Sequence, residues 1–109
     1  MSKGMMLVQS RPADPAREDE FNDWYTNTHI PEVCAVPGIV GARRYKVHEP
    51  GPDGDEVGPV YIAIYEIDTD DLEAPMRELA ARSSDGRVRM SELLQMDPLP
   101  VVTICEQIG

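Results

Sequence analysis

An α+β fold of the ferredoxin-like kind, built on a four-stranded antiparallel sheet, follows from three features of this 109-residue sequence. Four short stretches carry strand patterning and two carry helical spacing. They alternate as β-α-β-β-α-β, with one further short helical segment before the last strand. The two middle strands are separated only by a loop rich in Pro, Gly and acids at 48–59, HEPGPDGDEVGP, which makes them antiparallel neighbours. Both helices then cover one face of the sheet.

Taken in order, residues 5–9 are an apolar run closed by Ser10 and Pro12, which reads as the first strand. Asp14 and Pro15 offer an N-cap followed by proline at the first helical position. Glu18, Asp19 and Glu20 suit the positive end of the helix dipole, and Phe21, Trp24, Tyr25 and Thr28 recur at helical spacing. Pro31 falls where this helix should stop or kink, residues 33–36 give one further turn, and Pro37-Gly38 ends it. Residues 39–47 and 60–67 are the second and third strands. The third places Val60, Ile62 and Ile64 on one face and Tyr61, Ala63 and Tyr65 on the other, so both faces call for cover. Asp70-Asp71 caps a second helix through Leu72, Met76, Leu79 and Ala80, with Arg82 near its negative end. Residues 88–94 read as a short helical segment, and 101–106 as the last strand. Because the helices occupy one side only, the other apolar sheet face predicts a second copy packed sheet to sheet, a homodimer.

Composition narrows the function. The length fits a single domain spanning 1–109, with no internal repeat. Hydrophobic residues make up 41% of the chain, enough for one modest core. Twenty acidic against ten basic residues set a formal charge of −10, a field that repels phosphate backbones and anionic lipids and so argues against nucleic acid and membrane partners. No apolar run approaches the roughly 18 residues that cross a bilayer, and the opening MSKGMMLVQSRP lacks a signal-peptide core, so a cytoplasmic protein is expected. Cys34 and Cys105 are far apart and outside any CxxC, which predicts two reduced thiols with neither disulfide nor zinc.

The stretch 21–45, FNDWYTNTHIPEVCAVPGIVGARRY, holds the candidate chemistry. Tyr25 and His29 are four apart and share a helix face, with Phe21 below them. A neutral imidazole, with its ordinary pKa of about 6.5, can take a proton from an enolisable carbon or a phenol and return it elsewhere; equally, a histidine at a helix end can cap loop carbonyls. Trp24 and Tyr25 read as core anchors or as cleft walls, the Tyr25 hydroxyl being placed to orient the imidazole or a ligand oxygen. Tyr45 and Arg43 alternate onto one face of the second strand, opposite Arg44, and either can hold a carbonyl or carboxylate, or remain an edge tyrosine and a solvated ion-pair partner. Tyr61 and Tyr65 share a face of the third strand and can line the same cleft or fill the core. His29 with Glu32 has HxxE spacing and His48 is a third donor, but Pro31 breaks the helix that would aim the pair, so no metal is expected. Cys34 reads as a structural thiol, and no phosphate-binding glycine loop is present.

The run WY-x-x-x-H-I-P-E, followed by a hydrophobic stretch, V-P-G and an aromatic-bearing strand, resembles the EthD-like group of dimeric α+β barrel proteins. The resemblance implies a ferredoxin-like dimer with a cleft between helices and sheet in each subunit and no organic cofactor, and it maps the group's histidine onto His29. Related barrels include polyketide cyclases, lactone isomerases and small monooxygenases. The expectation is therefore a cofactor-independent enzyme of cyclase, isomerase or dehydratase type. His29 would be the general acid/base, assisted by Tyr25 and Tyr45, with Trp24, Phe21, Arg43, Tyr61 and Tyr65 around a hydrophobic oxygenated substrate. A cofactor-free monooxygenase and a non-catalytic ligand-binding accessory protein are the alternatives.

Overall fold

A computed structural model describes residues 2–48 and 60–109, so the expected loop at 48–59 lies outside the described residues except for His48, which is exposed. Four strands, β1 (Ser2–Ser10), β2 (Ile39–Lys46), β3 (Tyr61–Thr69) and β4 (Val101–Glu106), form one antiparallel sheet in the order β2-β3-β1-β4. The first helical region begins with a 3₁₀ turn (Pro15–Arg17), in which the Asp14 carboxylate accepts from the Ala16 N–H at 2.9 Å. It continues as α1 (Glu18–Trp24), a π-helical turn (Tyr25–His29) and α2 (Ile30–Cys34). The second helix, α3, spans Ala74–Ser84 and carries Pro75 in its first turn, where a missing N–H costs nothing.

Pro31 neither stops nor breaks the first helix. Its missing N–H and the clash of its ring with the carbonyl four residues back are accommodated by widening the turn before it, and the Ile30 N–H reaches back five residues to the Tyr25 carbonyl. The chain then turns at Gly38, whose φ of +94° suits only glycine at low cost.

The register sets two distinct sheet faces. Met6 pairs with Tyr65, Val8 with Ala63 and Ser10 with Tyr61, and these side chains are buried on the helix side. They pack with Phe21, Tyr25, Val33, Val36, Ile39 and Ile67 into one core, which Leu72, Met76 and Leu79 join from the α3 side. The opposite face carries Met5, Leu7, Ile62 and Ile64, only partly buried, with Tyr45 half exposed at its edge.

One further expectation needs correction, and one is refined. Residues 88–94 are not helical. Ala13 N donates to the Leu93 carbonyl at 2.8 Å and Gln95 N to the Arg11 carbonyl at 2.9 Å, so this backbone bonds across to residues 11–13 instead of along itself. Val88 and Leu94 anchor it in the core. In β2, a bulge between Ile39 and Gly41 adds a residue, so Ile39 shares its inward face with Ala42, Arg44 and Lys46, while Arg43 and Tyr45 turn to the far face. Arg43 and Tyr45 thus share a face opposite Arg44, as alternation predicts, and the bulge decides which of the two faces points inward.

A Cβ at Gly4 would collide with the Cys105 carbonyl oxygen of β4, whereas one at Gly41 would meet only a Glu66 carboxylate oxygen at 3.6 Å. Gly4→Ala should therefore destabilise the protein by about 1–3 kcal/mol, and Gly41→Ala should stay within about 0.5 kcal/mol of wild type. Urea unfolding of the two variants checks this, and equal stabilities would contradict the register between β1 and β4.

Candidate functional site

Between the helix side of the sheet and α3 lies a cavity of about 300 Å³. Its walls are mainly aliphatic, with Met6, Val8 and Val102 from the sheet, Val33 from α2, Met76 and Leu79 from α3, and Val88, Leu94 and Leu99 from the segment before β4. The polar lining consists of Ser10, Tyr25, His29, Tyr65 and Ser83, and no charged side chain lines it among the described residues.

The π-helical turn sets the geometry of its helix wall. A turn closed by a bond reaching back five residues brings Trp24 over His29, the two rings stacked at 4.9 Å and 26°. Tyr25, four residues from His29, meets it edge-on at 4.9 Å and 77°. The imidazole is held between two rings, 8% exposed, and its Nδ1 has no hydrogen-bond partner among the described residues. Burial pushes its pKa below the ordinary 6.5. The Glu32 carboxylate and the Arg89 backbone pull it back up, and the Arg44 charge depresses it further. At neutral pH the ring is uncharged, the form a general base needs.

Arg44, which strand alternation placed opposite the candidate pair Arg43 and Tyr45 and to which no role was given, supports the candidate site. Its guanidinium lies 4.4 Å from the Tyr25 ring centre, 5.1 Å from Tyr61 and 5.6 Å from Phe21, and it donates to Thr26 Oγ1 and Asn22 Oδ1, each at 3.0 Å. It therefore fixes the helix carrying Tyr25 to the sheet. The glycine two residues after Ile39 was the only local sign of the bulge that turns Arg44 inward.

The structure gathers three of the candidates, His29, Tyr25 and Tyr65, at the cavity. Burial pushes both phenols above their ordinary pKa, Tyr65 most strongly, so each remains a hydrogen-bond donor at neutral pH. Trp24 stands behind the imidazole instead of on the wall. Phe21 and Tyr61 pack at 5.4 Å from each other under α1, where the Tyr61 hydroxyl accepts from Asn22 at 3.0 Å and donates to the Glu18 carboxylate. Arg43 pairs with Glu66 at 2.8 Å on the far sheet face, and Tyr45 borders a shallow polar groove near Lys46 and Glu18. The Glu32 carboxylate accepts from the Arg89 backbone N–H at 3.1 Å, and no group of three metal-binding side chains forms among the described residues. Cys34 is half-buried, its thiol pKa raised by that burial.

His29 gives a signed pH dependence. Its folded-state pKa lies below the unfolded one, so the unfolded chain takes up the proton first as pH falls. The His29 contribution to stability is full above about pH 6.5 and is lost on acidification below it, at no more than about 1.4 kcal/mol per pH unit. Urea unfolding from about pH 7.5 to about pH 5.5 should show wild-type stability falling, and His29→Gln should flatten that fall. Parallel profiles for the two proteins would contradict the buried, uncharged imidazole.

The EthD domain family model matches residues 13–86, which include the whole first helix and its histidine. No curated protein matches the chain. Among solved structures, an EthD family protein of Bacillus halodurans aligns with a TM-score of 0.59 at 22% identity, over 99% of this chain and 100% of that one. A monooxygenase from the ActVA-Orf6 gene of Streptomyces coelicolor, in complex with nanaomycin D, aligns with a TM-score of 0.51 at 16% identity, over 97% of this chain and 88% of that one. These likenesses show the ferredoxin-like α+β fold, and the match over 13–86 shows that the chain belongs to the EthD family.

Proposed function

We propose that this EthD-family chain is a cytoplasmic, cofactor-independent enzyme that moves a proton on a hydrophobic, oxygenated small molecule, with His29 as the general acid/base. The observation that carries the reading is an uncharged imidazole, braced by Trp24 and Tyr25, on the wall of an aliphatic cavity of about 300 Å³. That volume is at the lower end of ligand sites, and its lining of aliphatic side chains with few polar groups is the usual composition of one. Cyclisation, isomerisation and dehydration each need a proton taken from one atom and returned to another, which one imidazole can do. No described helix is long and apolar enough to cross a membrane. An oxygenase reaction is the second reading, supported by the fold shared with a monooxygenase bound to nanaomycin D.

The same reading includes a homodimer. Met5, Leu7, Ile62 and Ile64 form an apolar patch on the far sheet face that neither helix covers, and a second copy of the same face buries it about a two-fold axis. Sedimentation equilibrium should give twice the 12.1 kDa chain mass for wild type and the chain mass for Ile64→Lys. A monomeric wild type would remove the dimer from the account.

Polycyclic hydroxyketones and nanaomycin D serve as trial substrates for turnover and oxygen uptake. His29→Ala should lower kcat by about 10²–10⁴-fold while leaving ligand Kd near the wild-type value. Unchanged turnover would contradict the acid/base role, and turnover coupled to oxygen consumption would favour the oxygenase reading.

A further inference from the structure

We infer that the cavity selects an uncharged carbonyl compound and holds its oxygen with the paired phenol hydroxyls of Tyr65 and Tyr25, supported by Ser10. The inference rests on the reading of this cavity as a ligand site and names the ligand's chemistry. Three hydroxyl side chains from three different elements line it, Ser10 from β1, Tyr65 from β3 and Tyr25 from the π-helical turn, and they are 4%, 1% and 2% exposed. The Tyr65 hydroxyl neighbours that of Tyr25, which in turn neighbours Ser10, but it makes no hydrogen bond of full geometry among the described residues. A buried donor without an acceptor is costly, and a ligand oxygen in the cavity removes that cost.

The electrostatics specify which oxygen. With both phenols kept protonated by burial, the pair offers donors to a carbonyl or to an enolate oxygen developing from it. A carboxylate would enter an aliphatic chamber with no cation on its walls among the described residues, since Arg44 lies beneath the rings and is not part of the lining. The chain's formal charge of −10 adds to the penalty. Tyr65 and Tyr25 thus act as specificity-determining residues that favour ketones and quinones over their acid counterparts.

The arrangement also completes the proton transfer. Donors at the carbonyl oxygen acidify the neighbouring C–H. The imidazole takes that proton, the C–H electron pair becomes the C=C bond, and the carbonyl π pair moves onto the oxygen held by the phenols. Return of the same proton to carbon restores the imidazole, so the cycle needs no oxidant or reductant.

Three bicyclic probes test this by calorimetry on the full chain: 1-tetralone, its deoxygenated analogue tetralin, and 1-naphthoate. Wild type should bind 1-tetralone, and Tyr65→Phe should weaken that binding by about three- to tenfold while leaving tetralin unchanged. The infrared C=O stretch of bound 1-tetralone should shift to lower frequency in wild type and return toward the free value in Tyr65→Phe. Binding of 1-naphthoate should be at least about tenfold weaker than that of the ketone. Equal 1-tetralone affinity and C=O frequency in the two proteins would overturn the oxygen hold alone. Naphthoate binding as well as the ketone would overturn the charge selection. If neither 1-tetralone nor tetralin binds wild type, the cavity is not a ligand site and the proposed function falls with the inference.

Discussion

Proline 31 has no N–H to give, and the candidate site is arranged around that missing donor. An α-helix running through residue 31 would clash with the proline ring and lose a bond, so the preceding turn widens and the Ile30 N–H closes onto the Tyr25 carbonyl. Widening rotates the residues within the turn relative to ordinary helical spacing. Trp24 then lies flat against His29 while Tyr25 meets it edge-on, and the imidazole is clamped at the cavity wall. Arg44, reaching from β2 to the Tyr25 ring and to Asn22 and Thr26, ties the widened turn to the sheet.

This arrangement opposes folding locally. An unpartnered buried polar atom costs about 1–3 kcal/mol, and His29 Nδ1 is of this kind among the described residues, while the Tyr65 hydroxyl is only loosely paired with that of Tyr25. Against a total stability of about 5–15 kcal/mol, even one such group is a noticeable burden. The cost is sustained by the aromatic packing of Phe21, Tyr25 and Tyr61 around Arg44 and by the β1–β3 pairing beneath. An aliphatic core of similar volume would avoid it, whereas the sequence places histidine and tyrosine at these positions.

The parts that could be read from residues alone were those governed by regular periodicity. Spacing of four put Tyr25 and His29 together, and the alternation along residues 61–65 put Tyr61 and Tyr65 on one buried face with Ala63. The parts that could not be read were those where one residue breaks the period. Pro31 looks like a stop, because the choice between a break and a widened turn depends on the packing of Val33 and Val36 beyond it. The bulge after Ile39 leaves Arg43 with Tyr45 and opposite Arg44, as alternation predicts, but turns Arg44 inward, so the basic residue that supports the candidate site is the neighbour of the one expected there. The segment at 88–94 carries helical spacing, yet its backbone bonds to residues 11–13, a pairing set by tertiary context.

Whether His29 is a neutral base facing a chamber that admits a guest can be read from its own resonances. ¹⁵N-edited NMR of the imidazole, titrated with acid in the absence and presence of 1-tetralone, reports protonation and contact together. The account predicts a midpoint below about 6.5 in the free protein and ring shifts on adding the ketone that the exposed His48 does not share. A midpoint at or above that value, with a ring indifferent to the ketone, would contradict it.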